Sequence, residues 1–260
     1  MLAHLHDLYD SRELLYSWTK RDFKVRYSQS VLGVSWAILQ PFSLMIVFSV
    51  VFSVFVNVPT DGIPYPIFAY TALLPWTFFA NSVSFGIPSL INNMQLVSKI
   101  YFPREVLPIS AILVSFIDFV IASSIFGLML LYYQVPLRAT VLLVPLVLFI
   151  QVIFTTGVTL FGAALTVFYR DIRFVIPLML QLLMYLAPII YPTSLVPESL
   201  RGIYFLNPMA VVIDTYRRLV LFGQMPDWAY LFVAIVVSCL VGLAGLLYFK
   251  RAERLFADLI

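Results

Sequence analysis

Lysine, arginine, aspartate and glutamate are missing from five long stretches of this sequence: Tyr27–Thr60, Gly62–Ser98, Ala139–Tyr169, Phe174–Pro197 and Trp228–Phe249. A sixth stretch, Val106–Leu137, holds one charge, Asp118. With 11% charged and 62% hydrophobic residues among 260, the chain has too few polar groups to cover a soluble core of its size. Each stretch is long enough for the roughly 20 apolar helical residues that cross a lipid core about 30 Å thick. An ionised side chain at the centre of such a span costs at least about 2.5 kcal/mol, so the gaps in charge mark the membrane. The fold class expected is an all-α integral membrane protein with six transmembrane helices.

Other scarcities exclude chemistry. The single cysteine, Cys239, lies in the last apolar stretch and rules out a disulfide framework. The two histidines, His4 and His6, form a weak metal signal that a solvated tail explains better, and no metal site is assigned. No glycine precedes any of the four lysines at the spacing of a GxxxxGK[ST] phosphate loop, so the chain is not expected to hydrolyse nucleotide. HExxH, GxSxG and carboxylate pairs within the spans are also missing, which leaves no activated nucleophile or acid–base pair for an intramembrane hydrolase or transferase. No catalytic residue is assigned. A dispersed net charge of +3 gives no reason to expect nucleic acid. Asp7, Asp10, Arg12 and Glu13 interrupt what would be the apolar centre of a signal peptide, so the first span is expected to direct insertion uncleaved.

What is present begins with a bias in the bases. If the N-terminus is cytoplasmic, the inner segments hold Arg12, Lys20, Arg21, Lys24 and Arg26, then Lys99 and Arg104, then Arg170 and Arg173, then Lys250, Arg251 and Arg254. The outer segments hold Arg138, Arg201, Arg217 and Arg218. Twelve inside against four outside places both termini in the cytoplasm.

Residues 1–28 are expected to form a cytoplasmic interfacial helix, with Leu5, Leu8, Leu15, Trp18 and Phe23 on one face and bases gathered at its end. A loosely ordered basic tail is the alternative. Residues 29–250 form the six-span domain, with spans near Leu32–Val56, Ile67–Ile91, Ile109–Tyr133, Thr140–Phe168, Val175–Ile190 and Ala229–Phe249. The longest inner connection is 92–108, and 251–260 is a short cytoplasmic tail. Between spans 5 and 6, Tyr191–Asp227 is too polar for a span and too apolar for a solvated loop. Broken helices that dip into the outer leaflet and turn back, over 193–227, satisfy this composition. A plain amphipathic surface helix fits the pattern as well. Arg217 and Arg218 break the inside bias and suit a solvent-facing end of such a hairpin.

Polar residues inside the spans are few. Gln40, Asn81, Gln151 and Gln181 face either other helices or a water-filled path, and hydrogen bonds between helices explain them as readily as a channel does. Asp118 lacks a basic partner in its span. It reads first as a carboxylate bonded to Ser115, Ser123 or a neighbouring helix, with protonation favoured by desolvation, and second as a pathway group. Phe, Tyr and Trp make up 16% of the chain. Trp36, Trp76 and Trp228 are placed as interfacial belt residues. The rest are ordinary lipid-facing aromatics or surfaces on which sugar rings slide.

Four segments taken together resemble a known family. Arg21–Phe52, RDFKVRYSQSVLGVSWAILQPFSLMIVFSVVF, resembles the basic stretch, LG-x-x-W element and Pro-containing first span of polysaccharide-export ABC transporter permeases. Ser98–Pro108, SKIYFPREVLP, is similar to their connection between spans 2 and 3. Phe168–Pro192, FYRDIRFVIPLMLQLLMYLAPIIYP, resembles their RD-containing turn and Pro-rich fifth span, and Leu206–Gly223, LNPMAVVIDTYRRLVLFG, their re-entrant outer segment.

The resemblance implies a permease that dimerises and binds two copies of a separate cytoplasmic ATPase, which carries the ATP and Mg; this chain binds no cofactor itself. The cargo implied is a lipid-linked polysaccharide such as O-antigen, capsule or teichoic acid, and the location a bacterial cytoplasmic (inner) membrane. The ATPase would grip the N-terminal helix and the 92–108 connection, making Lys20, Arg21, Lys24, Lys99, Arg104 and Glu105 candidate coupling contacts; positive-inside anchoring explains the bases nearly as well. Tyr169–Phe174 would be a second inner contact or gate, with Arg170, Asp171 and Arg173, and with Arg170 and Asp171 paired. By analogy spans 1 and 5 line the path, so Gln40, Asp118, Gln181, Tyr185 and Tyr191 are candidates for translocation or helix packing. A drug- or lipid-exporting permease and an ATP-independent carrier or transferase are the alternatives.

Overall fold

The computed structural model describes residues 11–60, 62–99 and 102–256, and among these every regular element is helical. The His4/His6 pair, with Leu5 and Leu8 of the expected amphipathic face, lies outside the described residues. The first described helix, α1, is Arg12–Tyr27, with Lys24 and Arg26 in its last turn, where cations suit the helix dipole. A left-handed Gly33 (φ 50) turns the chain into α2, Trp36–Phe48, which continues through a widened π-helical stretch, Ser49–Phe55.

Next come α3 (Tyr65–Gly86), the short α4 (Ser89–Asn92) and α5 (Met94–Lys99), and α6 (Val106–Tyr132). The connection expected over 92–108 is therefore shorter than that range. Its last three residues already belong to α6, where Pro108 sits in the first turn and costs no intrahelical hydrogen bond. A 3-10 turn, Ala139–Leu143, leads into α7, Val144–Phe168. Then follow α8 (Ile172–Leu186), α9 (Glu198–Tyr204), α10 (Pro208–Arg217) and α11 (Trp228–Glu253).

Among the described residues, four segments are long and apolar enough to cross a membrane: Gly33–Phe55, Val106–Tyr132, Ala139–Phe168 and Trp228–Glu253. This is an integral membrane protein. The other two expected spans also fold as helices but lack that signature, each for a physical reason. Helix α3 is buried along most of its length by α2, α6, α7 and α10. Facing protein on nearly every side, it carries Thr71, Thr77 and Ser82 where a lipid-facing helix would carry apolar residues. Trp76 belongs to this buried helix and is 4% exposed, so it is not the belt residue expected from the sequence. Trp36 and Trp228 are exposed, each at the first position of its helix. Helix α8 has only 15 residues, roughly 22 Å of rise. It stops at Leu186 because Ala187 is extended ahead of Pro188.

Helices α7 and α11 pack backbone against backbone. A Cβ built on Gly157 would lie 2.6 Å from the Cα of Gly242 and 2.6 Å from the carbonyl oxygen of Val241, and one on Gly245 would strike the Gly157 carbonyl. Backbones touch there because the side chains are absent, the small-residue packing of membrane helices.

The 193–227 segment folds as two short helices broken at Asn207–Pro208. The Asn207 side chain accepts from the Met209 amide and caps α10. After α10 the chain widens into a π-helical turn, Arg218–Phe222, and reverses at left-handed Gly223 (φ 60).

Candidate functional site

Helix α1 does not merely lie along the surface; it is pinned to α6. Arg26 Nη1 donates to Asp118 Oδ2 at 2.6 Å and the Tyr27 hydroxyl donates to Asp118 Oδ1 at 2.6 Å. One turn earlier, Ser110 Oγ donates to Asp22 Oδ2 at 2.9 Å. The Arg26 guanidinium also lies 4.0 Å from the ring centre of Phe85 on α3. Burial, then the hydrogen bond to Asp118, raises the Tyr27 hydroxyl well above the ordinary tyrosine range, so it stays a donor. This corrects the reading of Asp118 as a carboxylate without a basic partner. Ser115 and Ser123 donate to their own helix, to Ala111 and Phe119 carbonyls, and do not reach it. The base comes from a segment 92 positions earlier, which no local pattern signals.

Lys20, Lys24 and Lys99 are exposed. Arg21 is exposed but engaged: its guanidinium stacks 3.6 Å over Trp18, pairs with Asp22 at 2.8 Å and donates to Asn93 Oδ1 at 3.2 Å. It joins α1 to the 92–108 connection. Arg104 turns inward, its amide donating to Glu253 Oε1 at 3.2 Å and its Nη1 to the Glu253 carbonyl at 2.5 Å. Glu105 is only 2% exposed and pairs with Lys250 at 2.5 Å. Its place as a surface contact is therefore corrected: a carboxylate out of water needs a buried partner, and the end of α11 supplies it. Around these pairs Leu90, Val97, Leu107, Phe249 and Phe256 form an apolar core, with Trp18 and Phe102 packed against it.

Arg170, Asp171 and Arg173 are exposed at the turn between α7 and α8. Among the described residues no ion pair joins Arg170 to Asp171, contrary to the pairing expected; Arg173 instead lies 4.7 Å from the Phe174 ring centre.

The intramembrane polar residues divide. Gln151 is fully buried and donates to the Pro75 carbonyl at 2.6 Å, tying α7 to α3. Gln40 is exposed and accepts from Asn81 at 3.4 Å. Gln181 and Tyr185 project from the exposed face of α8. Half-buried Tyr191 donates to the Tyr185 carbonyl at 3.0 Å and accepts from Tyr204 at 3.4 Å.

One residue that the sequence misassigns organises the junction of α3, α10 and the chain after α8. Arg217 is 3% exposed, not the solvent-facing group expected beside Arg218. Its Nε donates to the Phe68 carbonyl at 3.2 Å, Nη2 to Ile189 at 2.6 Å, and Nη1 to Pro188 and, at 3.3 Å, to Tyr191. The chain beyond α8 leaves carbonyls without helical donors, and the guanidinium fork supplies them. Arg218, by contrast, pairs with Asp214 at 2.8 Å near the surface. The signal available was the run of prolines at 188 and 192: a chain that cannot stay helical there must find donors elsewhere.

This architecture has known counterparts. A family model described as ABC-2 type transporter matches residues 13–221, which takes in α1 through the turn after α10. The chain belongs to the ABC-2 type transporter family. Within it, the chain is 31% identical over 264 residues to an O-antigen export system permease protein RfbA from Myxococcus xanthus, covering 100% of each chain. It is 30% identical over 249 residues to a protein of the same name from Klebsiella pneumoniae, covering 95% of each. A polysialic acid transport protein KpsM from Escherichia coli is 22% identical, over 92% of this chain and 93% of that one. Membership of the ABC-2 family makes this a multi-pass membrane transporter component rather than an enzyme.

Proposed function

We propose that this protein is the permease of an ATP-driven exporter that moves a lipid-linked polysaccharide of the O-antigen type across a bacterial cytoplasmic membrane. The observation that carries this reading is end-to-end similarity, at about 30% identity, to permeases named for O-antigen export. The chain crosses the membrane six times with both termini inside, counting α3 and α8 as spans. Residues 193–227 enter the outer leaflet and return.

The permease works as a homodimer. Gln40 on α2 and Gln181 on α8 are exposed in the single chain. Polar groups facing lipid from within a span are disfavoured, so these two faces meet a second copy or an aqueous path between copies. Tyr185 and Tyr191 offer rings for sugar C–H faces along that path. Two ATPase subunits, which hold the ATP and Mg, dock on the inner face through Lys20, Lys24 and Lys99, and the turn with Arg170, Asp171 and Arg173 forms a second inner contact. Arg21 and Arg104 carry the load onward, because each ties the inner surface to a different helix.

The test is deletion and complementation together with affinity purification. Loss of the gene is expected to strip polysaccharide from the cell surface while lipid-linked chains accumulate inside, and the tagged permease is expected to bring down an ATPase. Intact surface polysaccharide in the deletion strain would overturn the reading.

A further inference from the structure

On the outer side, the strand of chain after α8, helices α9 and α10, and the first turn of α11 enclose a cleft of about 610 Å³. Sites for small ligands span roughly 300–1,000 Å³. The floor is the Phe68 ring with the Arg217 guanidinium 3.5 Å above it. That arginine is occupied by backbone carbonyls and belongs to the scaffold. Further aromatic rings line the cleft: Phe222, and Phe205 with Tyr230, whose ring centres are 4.2 Å apart.

The rim is polar and only partly spent. Asp214 is satisfied by Thr193 at 2.6 Å and Arg218 at 2.8 Å. Asp227 uses Oδ1 to cap α11. Among the described residues, no protein partner meets Asp227 Oδ2, the Gln224 side-chain amide, the hydroxyls of Ser194 and Tyr230, or the Nη nitrogens of Arg218. The lining holds three arginines, Arg201, Arg217 and Arg218, and two carboxylates, Asp214 and Asp227. Arg217 spends its donors on backbone carbonyls and Arg218 pairs with Asp214, so the groups left free are of mixed kind: a carboxylate oxygen, an amide, hydroxyls and guanidinium nitrogens. A ring with apolar C–H faces and a fringe of hydroxyls uses every part of such a lining: aromatic walls for the faces, and carboxylate, amide and guanidinium for the hydroxyls.

We propose that this outer cleft, formed by Phe222, Gln224, Asp227 and Tyr230 over the Phe68–Arg217 floor, binds a short run of sugar units of the exported glycan. The proposal rests on the export reading above and adds to it a site away from the exposed faces of α2 and α8. A chain emerging at the outer surface is held there, which disfavours its sliding back.

The experiment uses the full-length protein in lipid nanodiscs and, as probe, short oligosaccharides released by mild acid from the host's own surface polysaccharide. Saturation-transfer NMR is expected to detect binding. Gln224→Ala and Asp227→Asn are expected to weaken it roughly tenfold each, the effect of losing about one hydrogen bond to the ligand. The Gln224 side chain is exposed and, among the described residues, meets no protein partner, and asparagine caps a helix as well as aspartate does, so both variants keep the fold. Absence of saturation transfer, equal binding by the variants, or stronger binding of glycerol 3-phosphate than of the oligosaccharide, as a lipid-headgroup pocket would give, each overturns the proposal. Complementation of a deletion strain is scored alongside. Restored surface polysaccharide without oligosaccharide binding keeps the export reading and rejects the cleft, whereas failure to restore it rejects the export reading and with it the cleft's assignment.

Discussion

Arg26 and Asp118 are both largely withdrawn from water, with side chains 16% and 8% exposed. Removing either one strands the other, and breaking such a pair from one side typically costs about 3–5 kcal/mol. Arg26→Gln and Asp118→Asn are therefore each expected to lower the melting temperature of the detergent-purified protein. The double variant should be less destabilised than the sum, since once one charge is gone the second has nothing to lose. Strict additivity in that cycle would remove the pair from the account of how α1 is held. Tyr27→Phe should be milder, about 1–3 kcal/mol, because it leaves one carboxylate oxygen short of a donor but keeps the charges paired. Arg217 poses a sharper case, since its planar fork reaches carbonyls in two elements, Phe68 on α3 and the chain after α8. Arg217→Lys keeps the charge but replaces the fork by a point. It is expected to lower thermal stability measurably, and an unchanged melting curve would show that geometry at this position does not matter.

Elements were legible from the sequence where lipid decides composition, and illegible where protein does. Stretches such as Gly33–Phe55 and Ala139–Phe168 appear as charge-free runs because their outer faces meet hydrocarbon. Helix α3 gives a weaker signal because it is enclosed, and its buried Thr71 and Ser82 answer to neighbouring helices rather than to lipid. Long-range polar partners were hidden for a different reason. Arg26 with Asp118, and Glu105 with Lys250, join segments distant in the chain, so neither 3.6-residue periodicity nor span counting brings them together. The α7–α11 contact was hidden too, since a lone glycine in an apolar run says nothing about what approaches it. Gly157→Leu tests that contact. Forcing a side chain against Gly242 and Gly245 must separate two backbones, and overpacking of this kind costs typically 1–3 kcal/mol or more. A fall in melting temperature is expected, while Gly127→Leu, which meets open space within 4 Å, should leave it nearly unchanged.

At the scale of the whole molecule, the division of charge and the connections between helices make one directional machine. Three of the bases that fall inside under the proposed orientation, Arg21, Arg104 and Lys250, join α1, the 92–108 connection and the end of α11 into a single block. Orientation is open to a direct test because Cys239 is the only cysteine. In a Cys239→Ser background, Arg170→Cys should react with a membrane-impermeant maleimide only in inverted vesicles, and Glu198→Cys only in intact spheroplasts. The reverse pattern would invert the topology. Coupling to an ATPase requires more care in the choice of residue. Arg104 would be a misleading target, because reversing it removes the Nη1 bond to the Glu253 carbonyl, sets a second carboxylate beside the Glu253 side chain and so loosens α11 from within. Lys20, Lys24 and Lys99 make the cleaner test, being exposed where a partner could reach them. Exposed charges contribute little to folding, whereas charge complementarity across an interface steers association and fixes register. Lys20→Glu, Lys24→Glu and Lys99→Glu combined should therefore leave insertion and melting temperature close to wild type while sharply reducing ATPase copurification and export. Full export by that triple variant would move the docking surface elsewhere on the inner face, with the exposed turn at Arg170 and Arg173 the next place to look.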